Sequence, residues 1–501
     1  WGDYGGIASE TSYLGLDNIL KFYTNSDIKD MYKKYLDNFV NRVNTVNNTK
    51  YSDDFSIFSW ELMNEPRIDI NSAGENNYDE NYYNGTLLKQ WTEEMAKYIK
   101  DIDANHMVSL GSELHGIEVD GTTWGGTEEG YGDDPVANVM SAQGIDFVTF
   151  HPYPNANWLN YNIPHVKELI QNVVSDSKKL GKPVVMEEWG IDNRYAIKDF
   201  QGNIINPDNS KYEALKNTWN NVILSEFRRA GGNGSLVWSF SSLKSADLNF
   251  DIVSFMPGEK AIKDSISVSI LKFQSLMLDL LSKNIFIDVD EADRGYINEV
   301  VYFKLMDNDG YKFHPENNAR VSEVSDALKK LKTISDSNMN LKYLEGLNED
   351  DTISRKDLAK DLYNVLNISK VKLNEEENIR YSDLIDCSSD EIDMIKSLYC
   401  AGIFSNESEF RPDDNITRAE LAKILTGVMD YLSYEGQGYF DSIVVSGSLP
   451  NINVTWSKDE VKDKKIVQTG SYGLLPLIYV GLILMVFGSI IVIRKSDFLN
   501  N

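Results

Sequence analysis

Two strand ends carry carboxylates where acid–base chemistry needs them. Glu65 ends one apolar run in "WELMNEPR" (60–67), and Glu187 and Glu188 end another in "KPVVMEEWG" (182–190), with Pro66 and Gly190 breaking the chain soon after. Glu61 lies in the body of its strand, a structural charge that must find a partner within the barrel. Two carboxyls brought together from different strand ends can divide the work of cleaving a glycosidic bond. One protonates the leaving oxygen, and the other attacks the anomeric carbon or activates water. Two further strand ends carry groups that bind or stack: His151 and Tyr153 in "DFVTFHPYP", and Trp238 in "LVWSF". An imidazole and a phenol can tune a carboxylate, and an indole gives a sugar ring a flat apolar platform.

Positioning these groups requires a scaffold, and the apolar periodicity describes one. "FSIFSWELM" (55–63), "HMVSLGS" (106–112), "IDFVTFH" (145–151), "PVVMEEW" (183–189) and "GSLVWSF" (234–240) have the composition of strands. Stretches near 26–46, 86–102, 162–180 and 210–230 repeat apolar residues at three and four, the helical spacing. Strands this apolar are covered on both faces, as in parallel sheets, so the alternation predicts a (β/α) barrel or a doubly wound sheet. No glycine-rich phosphate loop follows any of the strands, which weighs against nucleotide binding.

Taken in order, "WELMNEPR", "DFVTFHPYP", "KPVVMEEWG" and "LVWSF" resemble glycoside hydrolase family 5, most of all its endo-β-1,4-mannanase branch. "WGDYGG" (1–6), "DANHMVSLGSELHG" (103–116) and Trp158 extend the resemblance across residues 1–255. It implies a (β/α)8 TIM barrel and a retaining double displacement, with Glu65 as general acid/base and Glu188, directly before the aromatic-Gly pair, as nucleophile. Asn64 would bind the sugar 2-hydroxyl, His151 would sit near the acid/base, Tyr153 would hold the nucleophile and Trp238 would floor the −1 subsite. Arg67, Glu113, Trp158 and Trp1 would line the cleft. The chemistry would need neither a metal nor an organic cofactor. The family's first strands, one bearing a buried Arg behind the nucleophile, have no counterpart after Trp1. The expectation is therefore a barrel lacking those strands, inactive or unstable by itself.

Beyond 256–285, a linker, the texture becomes helical and acidic, with a weak internal repeat over 286–432. "FRPDDNITRAELAKIL" and the looser "ISRKD" (353–357) resemble S-layer homology modules, which hold bacterial surface proteins to a wall polysaccharide. That resemblance implies that Arg418 and Arg355 bind an anionic wall polymer, whereas the first repeat carries Val321 at this position. Residues 433–472 form a polar linker, and 473–493 are uncharged and long enough for a transmembrane helix, with a basic tail at 494–501. "VQTG" (467–470) before that span resembles a variant sortase signal, the alternative to a plain anchor.

The formal charge of −28 disfavours nucleic acid as a partner. Cys387 and Cys400 are compatible with one disulfide or with two thiols, and they have no metal spacing. The combined expectation is an α/β barrel, a mainly α-helical repeat domain and a C-terminal membrane segment. Together they predict a mannan-cleaving enzyme on the outer face of a bacterial cell. Two alternatives stand beside it: a β-1,4-glucanase of the same family, and a non-catalytic wall or polysaccharide binder with a remnant barrel.

Overall fold

The computed structural model describes residues 7–16, 20–66, 86–113, 139–155, 161–238, 283–335, 337–371, 381–405 and 408–435. Short pieces at 118–119, 122–123, 240–241, 253–254, between 270 and 281, and at 490–492 complete it. The chain divides into two units, Trp1–Ala196 with Gly232–Trp238, and Ile197–Gly231 with Ser239–Asn501.

In the first unit the strands β1 (Ser59–Glu61), β2 (Met107–Ser109), β3 (Val148–Phe150), β4 (Val184–Met186) and β5 (Gly234–Val237) form parallel ladders. Trp60 is opposite Val108, Thr149 opposite Val185, and Met186 opposite Ser235. Asp146 joins β2 to the start of β3. Its N–H donates to Val108 O at 2.8 Å, and its carboxylate accepts the Val108 N–H at 2.7 Å. Each strand is shorter than the apolar run that announced it. Around β1 the reasons are local: the Asp54 carboxylate accepts the Ser56 N–H in a turn before it, and Glu65 takes a φ of 48° after it.

Helices α1 (Ser26–Val40), α2 (Thr86–Ile102) and α3 (Ile163–Lys179) fall where the periodicity puts them. The Asn25 side chain caps α1 by accepting the N–H groups of Asp27 and Ile28, and Asn162 caps α3 through the His165 N–H. Ile28, Tyr32, Leu36 and Val40 make one buried stripe of α1, and Trp91, Met95 and Ile99 make the matching one of α2. With Trp60, Val108 and Leu110 from β1 and beyond β2, they form one core beneath the strands.

The second unit contains α4 (Tyr212–Ala230), α5 (Glu291–Tyr302), α6 (Val321–Ser335), α7 (Arg355–Val365), α8 (Ser389–Cys400) and α9 (Arg418–Glu435). By sequence α4 was read with the barrel, and it clusters with this unit instead. Its charged end explains how: Arg229 donates to Glu299 at 2.6 and 3.0 Å and to Asp430 at 2.7 Å, while Arg228 reaches Glu299 at 2.9 Å. All four groups are buried, so each charge depends on the others. Gly295 of α5 permits the approach, since a Cβ there would lie 2.2 Å from Arg229 O.

The repeats close a ring. The N–H groups of Val321 and Ser322 donate to Asp351 O and Glu349 O at 2.9 and 3.1 Å. Those of Arg355 and Lys356 reach Asp414 O and Pro412 O, each at 2.9 Å. Those of Arg418 and Ala419 return to Asn317 O and Pro315 O at 2.8 and 3.0 Å. Thus the first turns of α6, α7 and α9 each satisfy their unbonded N–H groups on the loop of another repeat. Cys387 and Cys400 are both free thiols, so the disulfide alternative is removed.

Among the described residues no helix is long and apolar enough to cross a membrane. The expected transmembrane span at 473–493 lies outside them except for Ile490–Val492. Those three residues, all β-branched, form a short strand rather than a piece of helix.

Candidate active site

The strand ends of the first unit bring Glu65, His151, Tyr153, Glu188 and Trp238 into one neighbourhood. Glu65 is held just past β1, where its N–H donates to Gly111 O at 2.8 Å. Its left-handed backbone costs on the order of 1 kcal/mol in a non-glycine residue, a strain that clusters at functional positions. His151 follows β3, and its Nδ1 lies 2.9 Å from Glu65 Oε1 and 3.8 Å from Glu188 Oε2. The Tyr153 hydroxyl donates to Glu188 Oε2 at 2.6 Å. An oxygen of Glu65, a nitrogen of His151 and an oxygen of Glu188 all lie within 4.8 Å of one another. Hydrogen bonds within the group already engage all three, and no metal-ligand role is assigned to them.

The electrostatics follow from that crowding. Burial disfavours a charged imidazole, but the carboxylates of Glu188, Glu187 and Glu65 outweigh it and raise His151 well above the usual histidine range. Burial also raises the Glu188 carboxyl. The His151 charge and the Tyr153 hydrogen bond pull it back, the Glu65 charge pushes it up again, and the balance stays above the ordinary carboxylate value.

The remaining expected residues are distributed unevenly. Asn64 is exposed beside Glu65. Glu113 is buried, and its carbonyl accepts the His151 N–H at 3.3 Å, so it supports the histidine through its backbone. Trp238 is half-buried at the end of β5, with its N–H donated to Trp189 O at 3.0 Å. Trp1, Arg67 and Trp158 lie outside the described residues.

Arg355 and Arg418 differ from the sequence expectation. Arg355 is 2% exposed. Its Nε donates to Phe410 O at 2.6 Å, its Nη1 to Glu420 at 3.1 Å, and its guanidinium stacks 5.1 Å from the Phe410 ring. Arg418 repeats the motif one junction on. Its Nε donates to Phe313 O at 2.9 Å, it pairs with Glu323, and it stacks 4.6 Å from the Phe313 ring. Both arginines therefore lock one repeat to the next, and Arg355 is corrected from a polymer ligand to a buried structural link. At the third junction Val321 replaces the arginine, which is why the first repeat departs from the motif.

Glu187 carries an interaction that sequence reasoning left unassigned, and Glu61, read as a strand charge in need of a partner, stands beside it. Glu187 Oε2 lies 3.7 Å from His151 Nε2, and Glu61 is its acidic neighbour. The acidic doublet at 187–188 was the available signal, because adjacent residues leaving a strand face different sides.

A family model described as glycoside hydrolase family 5 β-mannosidase-like matches residues 9–250, across all these strand ends. Residues 9–250 form a glycoside hydrolase family 5 mannosidase-like domain. An S-layer homology domain model matches residues 380–422. The chain is 29% identical to mannan endo-1,4-beta-mannosidase 1 of Arabidopsis thaliana over 267 residues, covering 51% of this chain and 59% of that protein. It is 31% identical to mannan endo-1,4-beta-mannosidase 8 of Oryza sativa subsp. japonica over 255 residues, or 48% of this chain and 62% of the relative. The solved endo-β-1,4-mannanase of Thermotoga petrophila is 26% identical, covers 56% of each chain and superposes with a TM-score of 0.42. The chain thus spans 59% and 62% of the two plant relatives' lengths. Glu65 and Glu188 stand just past two strands within the matched range.

Proposed function

We propose that this protein is a retaining endo-β-1,4-mannanase held at a bacterial cell surface by its S-layer homology repeats. The observation that carries the reading is the Glu65–Glu188 approach within 4.8 Å. Retaining enzymes keep their carboxyls about 5–5.5 Å apart and inverting ones about 6.5–9.5 Å, to leave room for water. Glu65, hydrogen-bonded to His151, protonates the leaving oxygen. Glu188, oriented by Tyr153, attacks the anomeric carbon. Glu65 then returns as base to activate the water that releases the sugar. Asn64 binds the 2-hydroxyl in the transition state, and Trp238 stacks beneath the sugar in the −1 subsite. Arg67, Glu113, Trp158 and Trp1 complete the cleft.

The substrate assignment rests on the mannanase relatives, and tethering rests on the match at 380–422. Residues 1–255 serve as the catalytic domain, 286–432 as the wall-binding repeats, and 473–493 as the membrane or sorting segment. The test is reducing-sugar release by the full-length protein from β-1,4-mannan against carboxymethylcellulose. Preference for mannan supports the reading, and preference for the cellulose substrate replaces it with a β-1,4-glucanase. Sugar binding without release from either would point to a non-catalytic binder.

A further inference from the structure

Behind the catalytic cluster stands a second carboxyl pair that the double displacement does not use. Glu61, on β1, and Glu187, just past β4, are acidic neighbours, each acting on the other's charge. Gly111 makes the space: its φ is +84°, and a Cβ there would lie 2.5 Å from Glu61 Oε1 and 2.2 Å from Met63 O. Glu187 Oε2 in turn faces His151 Nε2 at 3.7 Å, and both atoms are buried without a hydrogen-bond partner. The imidazole therefore has an acid on each side, Glu187 at Nε2 and Glu65 with Glu188 at Nδ1.

The titratable groups facing His151 are Glu61, Glu65, Glu187 and Glu188, with Tyr153 bound to the last of them. Four carboxyls in this space do not all ionise. The surrounding protein and the Glu187 charge raise Glu61 well above the usual range. Glu61 keeps an exposed surface, yet Glu187 remains its like-charged neighbour whatever the solvent access. Burial opposes ionisation of Glu187 as well, but its neighbours Glu61 and His151 hold it below the ordinary value.

We propose that Glu187 is a positioning residue that keeps His151 protonated on both nitrogens and fixed between Glu65 and Glu188. This rests on the reading of Glu65 as the proton donor. With Nε2–H committed to Glu187, Nδ1–H is committed to Glu65 Oε1, and the transferable proton sits on Oε2 of Glu65. Without the Glu187 charge, the Glu65–His151 pair gives up its last proton at lower pH, and the donor is lost sooner on the alkaline side.

The test compares the full-length protein with Glu187→Gln and Glu61→Gln by two readouts. The chain has five histidines, so the His151 imidazole can be followed by NMR and assigned by its absence in His151→Asn. Glu187→Gln should lower the pH at which His151 deprotonates by about one unit or more, the effect of an opposite charge at this range. Glu61→Gln should leave it nearly unchanged, because the Glu187 charge stays in place. In kinetics, Glu187→Gln should move the alkaline limb of kcat/KM to lower pH and leave KM at the optimum unchanged. An unmoved His151 titration in Glu187→Gln overturns the proposal, as does a loss of rate that is equal at every pH. Should that variant not fold, the wild type decides: His151 must still be charged above about pH 7.5, where an ordinary histidine is neutral. A His151 shift in a protein inactive on every polysaccharide would retain the charge arrangement and overturn the proposed function instead.

Discussion

The hydroxyl of Tyr153 donates to Oε2 of Glu188 at 2.6 Å, across a span of 35 residues that joins the end of β3 to the end of β4. This bond holds the proposed nucleophile in one orientation and favours its ionised form against the burial that raises it. Tyr153→Phe removes only the hydroxyl. A lost hydrogen bond to a charged group costs about 1.5–3 kcal/mol, so kcat/KM should fall roughly tenfold to a hundredfold. The acid limb should move to higher pH, because Glu188 then ionises later. A pH–rate profile with an unmoved acid limb would show that Tyr153 acts only by packing.

Glu188→Ala should lower kcat by orders of magnitude while affinity for a mannan oligosaccharide is kept, since the carboxylate does its work in the transition state. Titration calorimetry set beside rate measurement checks both halves. Affinity lost together with rate would make Glu188 a binding group rather than the nucleophile.

The buried cluster of α4, α5 and α9 predicts an acid-sensitive second unit. Burial raises Glu299, but Arg228 and Arg229 outweigh it, so its folded-state value is depressed. A depressed carboxylate contributes stability that is present above the unfolded value, about 4.3, and is lost as pH falls through the folded one. Thermal unfolding of this unit should therefore hold steady above about pH 5 and drop below about pH 4. Glu299→Ala strands two buried guanidinium groups and should cost about 3–5 kcal/mol at neutral pH. A Tm independent of pH between those limits would remove Glu299 as the main titrating group.

Arg355→Ala should destabilise the repeat ring by about 3 kcal/mol or more, because a buried charge pair and a ring contact are lost together. Arg418→Ala should cost less, since that guanidinium keeps partial solvent access. Thermal melts of both variants, set beside binding to isolated cell walls, separate the two roles. Wall binding lost with no change in melting would return Arg418 to the ligand role its motif suggested.

Much of the barrel was legible because its signals are local. The three- and four-residue apolar spacing of α1 and α2 and the breakers Pro66 and Gly190 each act within a turn or two. The approach of Glu65 to Glu188 was foreshadowed because four strand ends in sequence order each carry a group that can bind or react. The Glu61–Glu187–His151 contacts were not, since each joins residues far apart in sequence and depends on the space left at Gly111. Arg355 misled for a related reason. A guanidinium that locks two repeats together has the same local sequence as one that binds a polymer, and burial against Phe410 is what tells them apart. The packing of α4 with α5 and α9 depends on Arg229 meeting Glu299 and Asp430 from distant segments.

The most direct test of the double displacement by Glu65 and Glu188 is the anomeric configuration of the first product released from a β-1,4-manno-oligosaccharide, followed by proton NMR before mutarotation. Retention is predicted: the new reducing end appears first as the β-anomer, and Glu188→Ala abolishes its formation. The α-anomer appearing first would contradict the account, because inversion requires a water between carboxyls that here approach within 4.8 Å.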